Sequence, residues 1–444
     1  MSVVPGGIDT DRQPPMTIPL RHFVVGLGFL LAGSLAGVAN AAGLSFGLGG
    51  LAHVHLLLAG WVCITIMGAM TQFVPVWSNV PLHSRRLATL QLALVAGGLA
   101  GFAGALFSAR LPWLAVFGGL MLLGFWTFVY NLARTIARID RRLDVTERHF
   151  ALALGFFVFL TALGYLLALD LARPVFPLAG IGRHDVVRAH ATLAVFGAVL
   201  TTVFGALYQL GTMFTQTKLR GIDFACKRVE EVCYPAGVLL LAGGRLFGRL
   251  APGRLGAGLI LAAVVAFAIL LGRRLHETRV ERTPMLSRYA VVAASLALWA
   301  GYTAPAWLRD PLPHAVLFGP PGAEHLLAVG VVGFVVAGSL YHIVPFIVWV
   351  HRYSDRLGFD AVPLIDDLYS GRLAAIDFWA IGLGNLGIVL AGAGVAPTPV
   401  AVAGGVLAVG GFGLFAANLL LVIRNHGPRS LAGVFFRRRG AGAR

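Results

Sequence analysis

Of the 13 histidines in this 444-residue chain, four open long apolar runs: His53 and His55 in AHVHLLLAGW, His190 in AHATLAVFG and His325 in AEHLLAVGV. A neutral imidazole offers one N–H and one lone pair, so it either bonds between helices or ligates a metal. Bare in hydrocarbon, it needs one of those partners. His53 and His55 cannot clamp a single ion from one straight helix, because residues two apart are rotated by about 200°. The two rings face different gaps, so the His-Val-His motif supplies one ligand to each side.

What must position them is a membrane-embedded helical bundle. Hydrophobic residues make up 58% of the chain and charged ones 12%, with a mean hydropathy of +0.82. Soluble domains carry about 25% charge, so there is too little here to solvate a water-soluble surface. Lys and Arg number 35 against 19 Asp and Glu, a formal net charge of +16. That excess lies between apolar runs, the pattern of positively charged cytoplasmic loops rather than of nucleic-acid binding. The three cysteines, Cys63, Cys226 and Cys233, have neither disulfide-scaffold nor zinc-knuckle spacing.

A spanning helix needs about 20 mainly apolar residues. Twelve segments qualify, approximately 21–43, 51–77, 87–108, 112–133, 149–169, 187–213, 231–248, 255–272, 288–307, 323–350, 373–395 and 399–423. The seventh is the least apolar, with Arg245 and Arg249 near its end. The segments before the first span, after each even one and at the C-terminus hold 27 of the 35 basic residues; the others hold 8. This bias predicts both termini in the cytoplasm. The expected organisation is a polar, Pro-rich disordered tail at 1–19, a twelve-helix membrane domain at 20–424 and a basic tail at 425–444. Met1–Pro19 lacks the short apolar core and cleavage site of a signal peptide.

Three of the spans share a pattern. Aligned on glycine, Gly60, Gly197 and Gly330 coincide, as do Gly68, Gly205 and Gly338. In that register Tyr208 meets Tyr341, Gln72 meets Gln209 and His342, and Pro75 meets Pro345. The offsets, 60 to 197 and 197 to 330, are 137 and 133 positions, about four spans each. An all-α fold of three pseudo-repeated four-helix units is expected, although glycines eight apart also serve ordinary small-residue packing. His55 then matches His325, and His53 matches His190, with Ala323 in the third place. His55 lies 20 residues before Pro75, roughly 30 Å along a helix, so the four imidazoles share one depth near the outer boundary. Equivalent positions on two helices can present His55 and His325 to opposite faces of one haem iron. His53 and His190 are candidates for a second metal, copper or another haem.

These residues resemble subunit I of the haem–copper oxidases, especially C-type oxidases and bacterial nitric-oxide reductases. The match lies in AHVHLLLAGWVCITIMGAMTQFVPVW and its echoes in the sixth and tenth spans. The motif covers about 80 residues, the layout most of the chain. The sequence is also similar to NnrS-type nitric-oxide-response membrane proteins, which carry a His-x-His on an early span. The resemblance implies a low-spin, bis-histidine haem b on His55 and His325, and a copper-ligand position at His190. It further implies a bacterial or archaeal cytoplasmic membrane and a cytochrome c-type or other electron-donor subunit. Departures are marked: the family's histidine pair on the seventh span is absent from 231–248, its high-spin haem ligand is Ala323, and its tyrosine after His190 is Ala194. The standard oxygen-reducing centre is therefore expected to be absent or altered.

Three functions follow as expectations. The first is a haem b protein for electron transfer or diatomic-gas chemistry in respiration. The second is an NnrS-like haem and copper protein of the nitric-oxide response, without oxidase turnover. The third is a metal-free transporter or assembly factor on the same scaffold. Among the remaining polar residues, His22, His83, His149, His276, His351 and His426 read as headgroup-level side chains. Glu230–Glu231 read as either a proton entry or a solvated helix end, and Asp377, Asn385 and Asn418 as interhelical bonders. Arg183, Arg188 and Arg309 are expected to pair with haem propionates or simply to solvate loops.

Overall fold

The computed structural model describes residues 14–427 and 431–435; most of the two terminal tails lies outside them. Twelve long helices follow in order: α1 (Thr17–Ala41), α2 (Gly49–Ser78), α3 (Arg85–Phe107), α4 (Pro112–Ile136), α5 (Val145–Ala172), α6 (Arg183–Thr215), α7 (Ile222–Leu246), α8 (Leu250–Glu277), α9 (Pro284–Arg309), α10 (Ala323–Arg352), α11 (Gly371–Gly392) and α12 (Thr398–His426). A short α13 (Leu431–Phe435) receives the Arg21 side chain on its backbone carbonyls. Among the described residues, 11 of these helices are long and apolar enough to cross a membrane. Helix α7 is the twelfth and falls short, because Asp223, Lys227, Arg228, Glu230, Glu231 and Arg245 interrupt it. The chain is thus an all-helical, multi-pass membrane protein in a lipid bilayer. Residues 17–19, expected in the tail, form the first turn of α1 with Ile18 buried.

Local signals place several helix starts. Ser84, Thr283 and Ser370 cap α3, α9 and α11 by accepting the backbone N–H three residues on, which satisfies an orphan donor of the first turn. Asp144 and Glu147 form a reciprocal capping box at α5. Helices α2 and α6 both end at a residue with φ near +50°, Asn79 (52°) and Gln216 (51°).

Helices α2, α6 and α10 are the centre of the molecule. Their apolar windows are 67, 83 and 89% buried, against 28–61% for the other candidate spans. Around them α3 packs on α4, α7 on α8, α11 on α12, and α12 returns to α1. Each central helix also contains an eight-residue π-helical segment: Leu56–Cys63, Leu193–Leu200 and Leu326–Gly333. The segments start at 56, 193 and 326, the same shifts of 137 and 133 that relate the glycines. Gly60, Gly197 and Gly330 sit inside them. A Cβ there would lie 2.7 Å from Phe29, 2.9 Å from Phe156 and 2.6 Å from Ser295, so glycine is what admits the neighbouring helix. Wide π turns are rare and concentrate at functional sites.

Candidate functional site

The π segments begin beside the four histidines. His55 and His325 immediately precede theirs, and His190 lies three residues before Leu193. All four rings are half-buried. His53 directs Nδ1 at Gly33 O (2.7 Å) across the gap to α1, and His190 directs Nδ1 at Leu160 O (2.8 Å) across the gap to α5. Both rings rest on glycine: a Cβ on Gly37 would come within 2.5 Å of His53, and one on Gly164 within 2.8 Å of His190. The carbonyls and glycines are related by one shift of 127 positions (33 to 160, 37 to 164). His53 and His190 therefore occupy one environment made twice. His55 turns Nδ1 to Leu51 O (2.9 Å) on its own helix, with Phe102 against the ring at 5.3 Å.

A carbonyl only accepts, so each of these three Nδ1 atoms carries the proton and each Nε2 carries a lone pair. An Nδ1–H held by a backbone carbonyl is the usual outer support of a metal-bound imidazole. His325 Nδ1 is buried with no hydrogen-bond partner, its nearest charged group being Glu324 Oε1 at 3.4 Å. In donor type these residues suit a haem iron. His53 lies within electrostatic range of His325, and His190 within range of His55. The His-Val-His motif thus has imidazoles of two other helices, α10 and α6, within electrostatic range. Among the described residues no three His, Cys, Asp or Glu side chains converge as a metal-binding group.

Arginines near this end are engaged. Arg183 pairs with Asp170 at 2.6 Å, and Arg188 with Asp185 and with Leu312 O at 3.0 Å. Both hold the loops before α6 and α10. Arg245, which weakened the seventh span in the sequence, is fully buried. It donates to Thr192 Oγ1 (2.7 Å), Pro311 O (3.0 Å) and Leu317 O (3.0 Å). One guanidinium ties α7, α6 and the loop before α10 together, two residues from His190 along α6.

At the opposite end of the bundle the structure corrects the headgroup reading of His22 and His149. They are 1% and 5% exposed. His22 meets Gln91, whose amide also donates to Thr71 Oγ1 (3.3 Å). His149 Nε2 lies 3.0 and 3.2 Å from the two Glu230 oxygens, and Tyr208 donates to the same carboxylate at 2.8 Å. Arg288 pairs with Asp377, which also accepts from Tyr341; Asn418 donates to the Tyr341 hydroxyl at 3.1 Å. Just outside, the loop residue Tyr369 has its pKa pushed up by burial and by Asp366, to which it donates at 2.9 Å. Glu230, read from sequence as either a proton entry or a solvated helix end, is fully buried and so not solvated, whereas Glu231 faces Arg148 at the surface. These trios went unread because each joins a first, a central and a third helix far apart in sequence.

No family model matches this chain, and no curated protein is similar to it.

Proposed function

We propose that the chain is a haem b protein of the bacterial or archaeal cytoplasmic membrane, built as three four-helix units with both termini in the cytoplasm. The observation that carries the reading is the set of imidazoles beside the π segments of α2, α6 and α10, three of them with Nδ1 held to a carbonyl. His325 and one imidazole of α2 would hold the haem iron. Sequence register names His55 for that role, and proximity names His53. The remaining α2 imidazole and His190 form a second site for copper or another haem. Haem, when bound, supplies one-electron transfer and a coordination position for oxygen or nitric oxide. The chain's part is to hold the imidazole lone pairs fixed on rigid helices. An electron-donor subunit of cytochrome c type belongs with this reading. The NnrS-like alternative, binding gas without turnover, is favoured over oxygen reduction by the ligand count, since α7 carries no histidine.

The test is the optical spectrum of the purified, reduced protein. A sharp low-spin haem b signal, lost in His325→Ala, is expected; a colourless preparation overturns the proposal. Loss in His53→Ala with retention in His55→Ala assigns the partner by proximity, and the reverse assigns it by register. Orientation is tested separately with cysteines placed near Asp140 and Gly180. The first should be labelled from the cytoplasm and the second from outside.

A further inference from the structure

The three buried trios opposite the histidine ring share one geometry and differ in chemistry. His22, His149 and Arg288 stand on α1, α5 and α9, each with a side-chain nitrogen bonded to the carbonyl four residues earlier, at 2.8, 2.7 and 2.8 Å. Each lies under a central-helix glycine, Gly68, Gly205 or Gly338. Each meets one polar side chain from the third helix of its group: Gln91, Glu230 or Asp377. A hydroxyl of the central helix completes it: Thr71, Tyr208 or Tyr341, shifted by the familiar 137 and 133 positions (71 to 208, 208 to 341).

Proton accounting separates them. In the first trio the Gln91 amide donates, His22 Nε2 accepts, and every member is neutral. In the third, a guanidinium keeps its protons permanently and balances the Asp377 carboxylate. Neither trio has a proton to exchange. In the second, Val145 O faces His149 Nδ1 and only accepts, so Nδ1 carries a proton. His149 Nε2 then faces two carboxylate oxygens at 3.0 and 3.2 Å. With no proton between them, a nitrogen lone pair would confront a fully buried anion, an arrangement that burial penalises heavily. The Tyr208 hydroxyl proton is already committed to the carboxylate.

We propose that His149, Glu230 and Tyr208 form a binding site for one exchangeable proton, held between Nε2 and the carboxylate. Hydronium at the surface beside Arg148 and Glu231 gives up its proton and leaves as water, and the trio passes from a net charge of −1 to neutrality. Release to water reverses the step. The charged and titratable groups around it come from each packed element. Arg148 and Lys227 flank Glu231 at the surface, at the edge of α5 and α7. Cys226 and Tyr234 lie one turn on either side of Glu230, with the Tyr234 hydroxyl committed to Phe196 O at 2.7 Å. From α8 the trio meets the apolar ring of Phe267 against Tyr208. Among the described residues no fixed cation bonds Glu230, unlike Asp377, so the proton is what balances its charge. This site does not depend on the haem reading and stands if that reading fails.

The experiment is infrared difference spectroscopy of the full-length protein in detergent, on pH jumps between about pH 4 and about pH 10, a range that spans ordinary carboxyl and imidazole titration. Glutamate carries a carbon-13 label in its side-chain carboxyl. Exposed glutamates titrate over this range as well; one further labelled carboxyl signal is expected to vanish in Glu230→Gln and to survive in the surface control Glu231→Gln. Tyr208→Phe keeps the pair but removes one bond to the carboxylate, so it must displace the signal in frequency. Persistence of the signal in Glu230→Gln overturns the proposal, as does the absence of that further signal in the unaltered protein. If Glu230→Gln fails to accumulate, an undisplaced signal in Tyr208→Phe overturns it equally.

Discussion

The two ends of the central helices are built from similar residues and finished differently. At one end His53, His55 and His190 each use Nδ1 on a backbone carbonyl and leave Nε2 open. At the other, His22 and His149 also use Nδ1 on a carbonyl, but Nε2 meets Gln91 or Glu230. The same ring is an available ligand in the first setting and a closed hydrogen-bonding group in the second. What decides is whether a third helix carries a polar side chain at that level. The presence of imidazole in a span is therefore no guide to ligation until the partner of its second nitrogen is known.

The comparison is broken most severely at the closed end. Arg288→Ala leaves Asp377 buried without its cation, which should cost about 3–5 kcal/mol; thermal unfolding in detergent measures it, and an unchanged midpoint would show that the trio is not a structural clasp. At the open end, Gly37→Ala forces a Cβ to 2.5 Å from the His53 ring. It should displace the ring and break the bond to Gly33 O, a loss of about 1 kcal/mol, together with a weakened haem signal. Gly28→Ala, where nothing lies within 4 Å, is the control and should leave the spectrum unaltered. Gln91→Glu sharpens the contrast among the trios. It places a carboxylate opposite His22 and should add a further exchanging glutamate signal in the infrared, converting a neutral trio into a proton-holding one. The smallest effect belongs to Glu147, which accepts from Ser78 (2.5 Å) and from Arg141 (2.9 and 2.7 Å) where α2 meets α5. Because Arg141 is half exposed, Glu147→Gln should cost under about 1 kcal/mol, with salt reducing the difference further.

Span positions, the weakness of the seventh helix and the glycine register were legible in the sequence, because hydropathy and helical spacing are local properties of the chain. The equivalence of His53 with His190 was legible for the same reason, and the structure gives both the same glycine and carbonyl surroundings. Three things were not. The π segments were hidden because an i to i+5 turn has no signature in a run such as LLLAGWVC. The buried trios were hidden because His22, Gln91 and Thr71 look like unrelated polar residues until three helices meet. The electrostatic neighbours of His53 and His55, on α10 and α6, were hidden because a register alignment names equivalent positions, not neighbours.

By itself the amino-acid sequence determined that this is a many-helix membrane protein, with charge gathered at alternate helix ends and an imidazole near the start of three apolar runs. Each of those follows from the free energy of single segments in hydrocarbon or from the 1.5 Å rise per residue. Tertiary structure alone decided which histidines keep a free nitrogen, that Arg245 and Glu230 are buried, and which helices share a proton or an ion pair. Those outcomes depend on what lies across an interhelical gap. In a bundle whose lipid and protein surfaces are equally apolar, that choice is made by close packing at glycine and by satisfying each buried polar group, not by hydrophobicity.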